Sequence, residues 1–539
     1  METLCAQQGL SAQGSTFTAR QGQRFVPGPA SCSGRQHLPR AAQGLSKGQT
    51  YIQNGSRSCR ARSINGKQPV VQITVSAEGP NGAPQESLGV VAEDGWIART
   101  LAAYRKDADN AQTLPGPLEE MRMDCTAALR TQRMPTTRNE EYRFTDITPI
   151  LQLEPQVAAS ATVLPGEAIA ALVEASPLKE AAARVVVIDG VVARQLSDTD
   201  RLPQQVFVGS LRDAPTLPAA QHLGKQARLR GSPFALVNGA TAEDVLCIDV
   251  PEGVTVEGPI HVLYITSGAS STVAPRLLCM LGADSSAEVI EEFVGPAKGA
   301  DTHFSNAVAE MDLAERAQLK HGYVALEGRR ALHMKGTLVR QAALSSYRLT
   351  EARLGGRLTR QDIFIEQVGE ETQTDMGSFL LCGDEQLHDL HSKLRLEHPR
   401  GTANQLHKCI VAAGRGRGVF DGAVKVEQKA QKTDAGQLSR NLLLVPRATV
   451  NVKPNLQIVA DDVKCTHGCA VSDLEESQLF YFRARGVDAA TARKVLVYSF
   501  GAEVTGNFAY AELRARIQAA VDKTLASVPV LEEPNAQIA

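Results

Sequence analysis

Apolar residues along this chain change their period twice. Between Gly95 and Thr131 they recur at three- and four-residue steps: Trp96, Ile97, Leu101, Ala102 and Tyr104 come first, and a second run follows Pro115-Gly116-Pro117 from Leu118 to Leu129. Two helices broken by that turn are predicted. Residues 165–183 are Ala-rich and helix-competent, and Val185 to Val192 places Asp189-Gly190 between two β-branched runs, the strongest hairpin signal in the chain. From about Pro218 to residue 470 short apolar or alternating runs dominate. They include Val245 to Val250, Ile260 to Ile265, Ala287 to Phe293, Thr337 to Leu349, Lys393 to Leu396, Ile410 to Ala413, Leu442 to Val445 and Leu456 to Val459. Many short strands without helical crossovers allow a sandwich, a barrel or a coiled solenoid. Runs that continue for about 250 residues without a repeated sequence word favour an irregular solenoid.

The helical period returns at the end. Ser472-x-x-Glu475 reads as a capping box opening a helix from Asp473 to Arg485, which Gly486 would close. Asp488 is placed to cap a second helix with an apolar face of Ala492, Val495, Leu496, Ser499 and Phe500, and a third runs from about Tyr510 to Ser527. The chain therefore divides into a leader (1–77), a helical region with a hairpin (78–217), a β core (218–470) and a helical end (471–539).

Composition sharpens this picture at the leader. Residues 1–77 hold nine Lys/Arg and a single acid, Glu2, a net +8, whereas the remainder has 48 basic and 58 acidic residues, a net −10. A Ser-, Gln-, Gly- and Arg-rich, acid-poor run without an apolar core reads as an organelle transit peptide, cleaved near Ser76 or Ala77. The acidic body is not that of a nucleic-acid binder, and no stretch approaches the roughly 20 apolar residues of a membrane span. Ten widely scattered Cys do not suggest a disulfide framework and point to a reducing compartment.

Candidate chemistry is sparse. No Gly-x-x-x-x-Gly-Lys-Ser/Thr loop occurs, since Lys67 and Lys225 each precede Gln, and no Gly-x-Ser-x-Gly elbow is present. Gly414-Arg-Gly-Arg-Gly418 reads as a basic loop without interleaved aromatics. His388 and His391 fall on opposite faces of a strand and read as structural. Cys465, His467 and Cys469 are different: two-residue spacing puts all three on one strand face, roughly 6.5 Å apart along the chain, within reach of a soft or borderline metal. Alone, the triplet reads as structural, small hydrophobic thiols and a hydrogen-bonded His, before it reads as a metal site.

Several uncommon words in order carry a family resemblance. Thr433-Asp-Ala-Gly-Gln, Ser439-Arg-Asn-Leu-Leu-Leu, Lys453-Pro-Asn-Leu and Ala460-Asp-Asp-Val-Lys-Cys-Thr-His-Gly468 resemble the SufB/SufD family, and within it the SufD branch, scaffold subunits of the SUF iron–sulfur cluster assembly complex. So do Leu479-Phe-Tyr-Phe-Arg-Ala-Arg-Gly486 and Val497-Tyr-Ser-Phe-Gly-Ala-Glu-Val504 near the end, and Arg138-Asn-Glu-Glu-Tyr-Arg-Phe-Thr-Asp146 near the start. The resemblance implies a right-handed parallel β-helix core flanked by α-helical regions, with the 138–146 word bracing a loop between helices. It implies a nascent cluster or iron held by His467, with Cys465 beside it, at an interface with SufB. It further implies a helical end that docks the SufC ATPase, although the same helices would equally serve to shield the last rung. For photosynthetic eukaryotes the implied compartment is the chloroplast stroma. Cys469 departs from the small residue usual there and reads as a core-filling thiol or an extra ligand. Ser472 and Asp473 stand after the motif, with no counterpart of the catalytic SufB Cys. Flavin binding is left open. The rival reading is a β-helix polysaccharide enzyme, which needs clustered carboxylates, and adjacent Asp461-Asp462 would splay to opposite faces. An autonomous metal enzyme would need three or four ligands from this chain.

Overall fold

A computed structural model of the chain describes residues 94–526, except 109–113, 115, 158–161, 164, 231, 270, 296–301 and 475. The leader at 1–77 lies outside the described residues. Neighbouring turns of a parallel β-solenoid, about seven in all, account for the long β region. Each turn gives one strand to each of two sheets. Sheet I runs from Thr255–Ile265 through Ser286–Val294, Gln318–Ala325, Ser346–Arg353, Gln373–Cys382, Thr402–Val411 and Asp434–Leu443 to Lys464–Ser472. Sheet II runs from Leu246–Val250 through Arg276–Leu281, Phe304–Leu313, Leu332–Gln341, Leu358–Gln367, Leu387–Leu396 and Arg417–Val426 to Thr449–Ile458. The expected mainly β fold with helices at both ends is therefore what forms, as a solenoid rather than a sandwich or barrel.

Several of the later strands are ten residues long where apolar runs of four marked them, as at Thr402–Val411, Asp434–Leu443 and Thr449–Ile458. The reason is that alternate positions point into a lumen that is apolar in places, as at Ala403, Cys409 and Val411, and polar in others, as at Gln405 and His407. At one corner a residue with positive φ recurs turn after turn: Asp284, Arg316, Leu344, Glu371, Arg400 and Lys432. Each donates its backbone N–H to the next turn, as Arg316 does to the Ala343 carbonyl at 3.0 Å and Arg400 to that of Gln431 at 2.9 Å. The turns stack as tightly as the strands. A Cβ on Gly355 would lie 2.3 Å from the Glu327 carbonyl oxygen, so Gly355→Ala is expected to lower stability by about 1–3 kcal/mol, read as a lower urea midpoint.

The first end of the solenoid is closed. Ala183–Ile188 pairs in parallel with Thr255–Ile265 and turns back through Asp189-Gly190, both at positive φ, into Val191–Val192, which is the hairpin expected from the sequence. Phe207–Ser210 closes sheet II in antiparallel pairing with Leu246–Val250. The helices Gly95–Ala108, Gly116–Leu129 and Pro233–Thr241 cover part of the outer face of sheet II, with Trp96 and Phe234 edge-on to Phe304 at 6.2 and 6.1 Å. The other end is different. Thr449–Ile458 and Lys464–Ser472 each pair on one side only among the described residues.

The helical end departs from expectation in three ways. Ser472 is the last residue of its strand, paired with Leu442, and the helix opens only at Glu476, so the capping box does not form; the sheet takes the backbone that the cap would need. The second helix, Ala489–Thr505, is capped by Asp488 as expected, its carboxylate accepting from the Thr491 N–H at 2.9 Å. Its buried face is Ala492, Val497, Gly501 and Val504, whereas Val495 and Ser499 are exposed. Gly501 explains the rotation: the Phe379 ring of sheet I sits where a Cβ would be, 2.8 Å away. Finally, Ala489–Thr505 and Ala511–Ala526 do not shield the last rung. They bury Val504, Leu513 and Ile517 against Ile290, Val324, Phe379 and Ile410 on the outer face of sheet I.

Candidate functional site

The terminal strand Lys464–Ser472 carries the triplet. In register, Cys465 lies over Ala435, His467 over Gln437 and Cys469 over Ser439, so all three share the lumen-side parity of the strand beneath. Cys465 is partly buried and packs on the central core, whereas His467 and Cys469 are exposed at the open end. Burial pushes both thiols above their ordinary range, so metal binding there must displace a proton. Thr466, His467 and Gly468 also border a hollow of about 560 Å³ between the outer face of sheet I and the end of helix Ala489–Thr505, with Arg348, Glu503 and Asn507 on its wall. Among the described residues no group of three or more His, Cys, Asp or Glu is placed to hold a metal ion. The triplet is therefore brought to one edge, but no closed ligand set is built around it.

Two further polar constellations are found elsewhere. The 138–146 word does not brace a loop between helices through Arg and Glu pairs; it straps the N-terminal region to sheet II. Thr145 Oγ1 donates to Asp389 at 2.5 Å, and Arg360 donates to Asp389 at 2.8 Å and to the Glu141 carbonyl at 2.7 Å while its guanidinium lies 4.0 Å from the Tyr142 ring centre. Glu141 pairs with Lys393, and Glu140 pairs with Lys453 of the last sheet II strand at 2.5 Å. Asp389 is fully buried; burial opposes its ionisation, but His391 and Arg360 outweigh it and draw its pKa down to about 2. The correction has a simple cause: complementary charges lay more than 200 residues away in sequence.

The second constellation lines the lumen. Glu291 accepts from Lys335 Nζ at 2.7 and 2.8 Å and lies 3.0 Å from His321 Nε2, all fully buried. Lys335 sits 5.5 and 5.7 Å from the Phe293 and Tyr323 ring centres. One turn on, Glu327 holds His303 and His333 at 3.3 and 2.7 Å. Further along, Cys382 and Cys409 meet inside the lumen. Burial opposes ionisation of Cys382, yet the Cys409 thiol and His388 draw its pKa below the ordinary thiol range. His388 belongs to the lumen and His391 to the outer strap, opposite faces as expected. Sequence reasoning missed the lumenal groups; the available signal was charged residues at alternating positions inside otherwise apolar runs, such as Glu291 and Lys335.

A parallel two-sheet solenoid, open at a last rung that bears Cys and His, flanked by helices at both ends, defines a recognisable class. The chain belongs to the SufB/SufD family. Residues 264–500 match the family described as SUF system FeS cluster assembly, SufBD core domain, and residues 102–262 match the SufBD protein N-terminal region. Among relatives, the chain is 41% identical over 410 residues to Protein ABCI7, chloroplastic, of Arabidopsis thaliana, covering 74% of this chain and 84% of that protein. It is 32% identical over 437 residues to an iron-sulfur cluster assembly SufBD family protein of Synechocystis, covering 79% and 95%. The iron-sulfur cluster assembly protein SufD of Escherichia coli is 29% identical over 402 residues, covering 73% and 89%. The chain is thus a SufD-like iron–sulfur cluster assembly protein. No described helix is long and apolar enough to cross a membrane.

Proposed function

We propose that this chain is a non-ATPase scaffold subunit of a SufBCD-type complex of the chloroplast stroma, and that His467, with Cys465 beside it, forms half of a site for iron or a nascent cluster. The observation that carries the reading is the open last rung. Both residues stand on a strand whose outer edge is unpaired among the described residues, and an unpaired edge is a template for another chain. With too few ligands converging here to close a metal site, the remaining ones come from a SufB-like subunit across that edge. Neutral imidazole suits iron and thiolate suits a cluster, so a site shared between subunits is chemically sound. The cluster is cargo, built and passed on. Cys469 is an extra thiol at the same edge.

A SufC-like ATPase docks on the helical end. Phe480, Tyr481, Val495 and Tyr498 are 72, 54, 41 and 48% exposed there, an apolar and aromatic patch on two adjacent helices that supports a protein contact. Movement of that ATPase would be transmitted through helices packed on sheet I toward the last rung. The leader at 1–77 directs the chain to the plastid, and 78–217, 218–470 and 471–539 act as the N-terminal region, core and docking end. The polysaccharide-enzyme reading falls with family membership.

Co-expression of residues 78–539 with plastid SufB and SufC tests the site. His467→Ala is expected to leave complex mass unchanged and to abolish iron–sulfur absorbance after anaerobic reconstitution. Equal cluster content in variant and parent would make His467 structural.

A further inference from the structure

The two corners of the solenoid treat charge differently. At the corner of positive-φ residues, opposite charges are matched: Arg316 with Asp284 and Glu315, Arg400 with Glu370 and Glu371, Lys432 with Asp462. The opposite corner, where sheet I strands turn into sheet II strands, carries six arginines on four of five consecutive turns, Arg329, Arg330, Arg357, Arg415, Arg417 and Arg447, with Asp384 and Glu385 on the turn between Arg357 and Arg415. Backbone bonds place them in one column. Arg357 N–H donates to Ala331 C=O at 2.7 Å, Leu387 N–H to Arg357 C=O at 2.8 Å, Arg417 N–H to Gln386 C=O at 2.9 Å and Thr449 N–H to Gly416 C=O at 3.4 Å. A Cβ on Gly414 would lie 3.6 Å from the Arg447 Cβ, which fixes the last member beside the turn before it.

Among the described residues of this column the half-buried Asp384 and the exposed Glu385 both pair with Arg415. Arg329 donates to the Asp384 carbonyl at 2.9 Å, which ties alternate turns together. Arg357, Arg417 and Arg447 are exposed and make no side-chain hydrogen bond or ion pair with the described residues. This cationic surplus stands on a body in which acids outnumber bases, so it does not reflect bulk composition.

We propose that this corner is a docking ridge for an extended, Glu/Asp-rich polypeptide segment of a partner protein. Four turn intervals of about 4.8 Å make a line of roughly 19 Å, the span of about six residues of extended chain. The ridge is convex and one turn wide, and none of the large exposed hydrophobic residues lies on it, the opposite of a surface shaped for a bilayer. Guanidinium forks match carboxylates in bidentate geometry. The ridge is separate from the last-rung edge and from the helical docking end, and it stands whether or not the cluster-site reading does.

The test is fluorescence anisotropy of the full chain with a fluorescein-labelled Glu decapeptide at low salt, beside sedimentation with phosphatidylglycerol vesicles and competition by a single-stranded oligonucleotide. R357E/R417E/R447E is expected to weaken peptide binding about tenfold or more while leaving the thermal unfolding curve in place, and K429E at the opposite corner is expected to change nothing. Parent affinity should fall steeply with added salt. Should the charge reversal fail to fold, R357Q/R417Q/R447Q carries the same test. Peptide binding that survives the triple substitution, no measurable peptide binding by the parent, or a parent that takes the vesicles or the oligonucleotide in preference to the peptide, overturns the proposal.

Discussion

Lys335→Met is expected to destabilise the chain by about 3–5 kcal/mol, because it leaves the Glu291 carboxylate unpaired in the lumen. The ammonium is the main group holding that charge: it donates twice to Glu291, and both side chains are fully buried. Burial alone would raise the carboxyl pKa, yet Lys335, followed by His321, depresses it from 4.5 to about 2. A carboxyl depressed in the folded state contributes its stability above pH 4.5 and loses it as the pH falls toward 2. The parent should therefore lose stability over that window. In Lys335→Met the folded carboxyl titrates higher, so the acid-side slope flattens and the gap to the parent narrows as the pH falls. Urea midpoints between pH 7 and pH 3 read both effects. The paired change Lys335→Met/Glu291→Gln should recover most of the loss, since replacing both members of a buried pair is far less harmful than orphaning one. A single variant as stable as the parent at pH 7 would show that the pair is not held as described.

Asp389→Ala is expected to cost about 3 kcal/mol and to loosen the N-terminal strap. The carboxylate collects Thr145, Arg360 and His391 in one buried site, and its loss leaves a guanidinium that is 2% exposed with one of its two carboxylate partners gone. Arg360 would keep the Glu141 carbonyl, the Tyr142 face, Asp362 and the contact with His391 Nε2 at 3.2 Å. Asp389→Asn should be milder, because its amide oxygen still accepts from Thr145. Thermal unfolding measures the stability loss, and trypsin measures the strap: cleavage after Arg138 and Arg143, both exposed, should speed up in Asp389→Ala well before global unfolding. Unchanged cleavage would mean that the strap is held by the surface pairs at Glu140 and Glu141 instead, which ordinarily contribute little.

How much was legible follows from where each signal resides. The two N-terminal helices, the Asp189-Gly190 hairpin, the Asp488 cap and the Gly486 stop are local, decided within a few residues by side-chain spacing and backbone preference, and all formed. The one-face spacing of Cys465, His467 and Cys469 is equally local, since a strand alternates whatever surrounds it. Strand lengths were read short because polar residues such as Gln405, His407, Gln437 and Ser439 face a lumen instead of solvent. Polarity at an alternate position normally means water; here it means hydrogen bonds across and between turns, as between Gln437 and Gln405 at 2.9 Å. The capping box at Ser472 failed for a related reason, as pairing with Leu442 claimed the residue for the sheet.

By itself the sequence determined the periods, the turns and the family words that lead to iron–sulfur assembly. Only the tertiary structure decided that Glu140 and Glu141 meet Lys453 and Lys393, that Glu291 meets Lys335, and that arginines from separate turns form one column. It also decided that, among the described residues, the strand bearing His467 is the last of its sheet and pairs on one side only. The reason is the solenoid pitch: each turn takes about thirty residues, and stacking in register brings positions one turn apart to about 4.8 Å, a coincidence that no local pattern encodes.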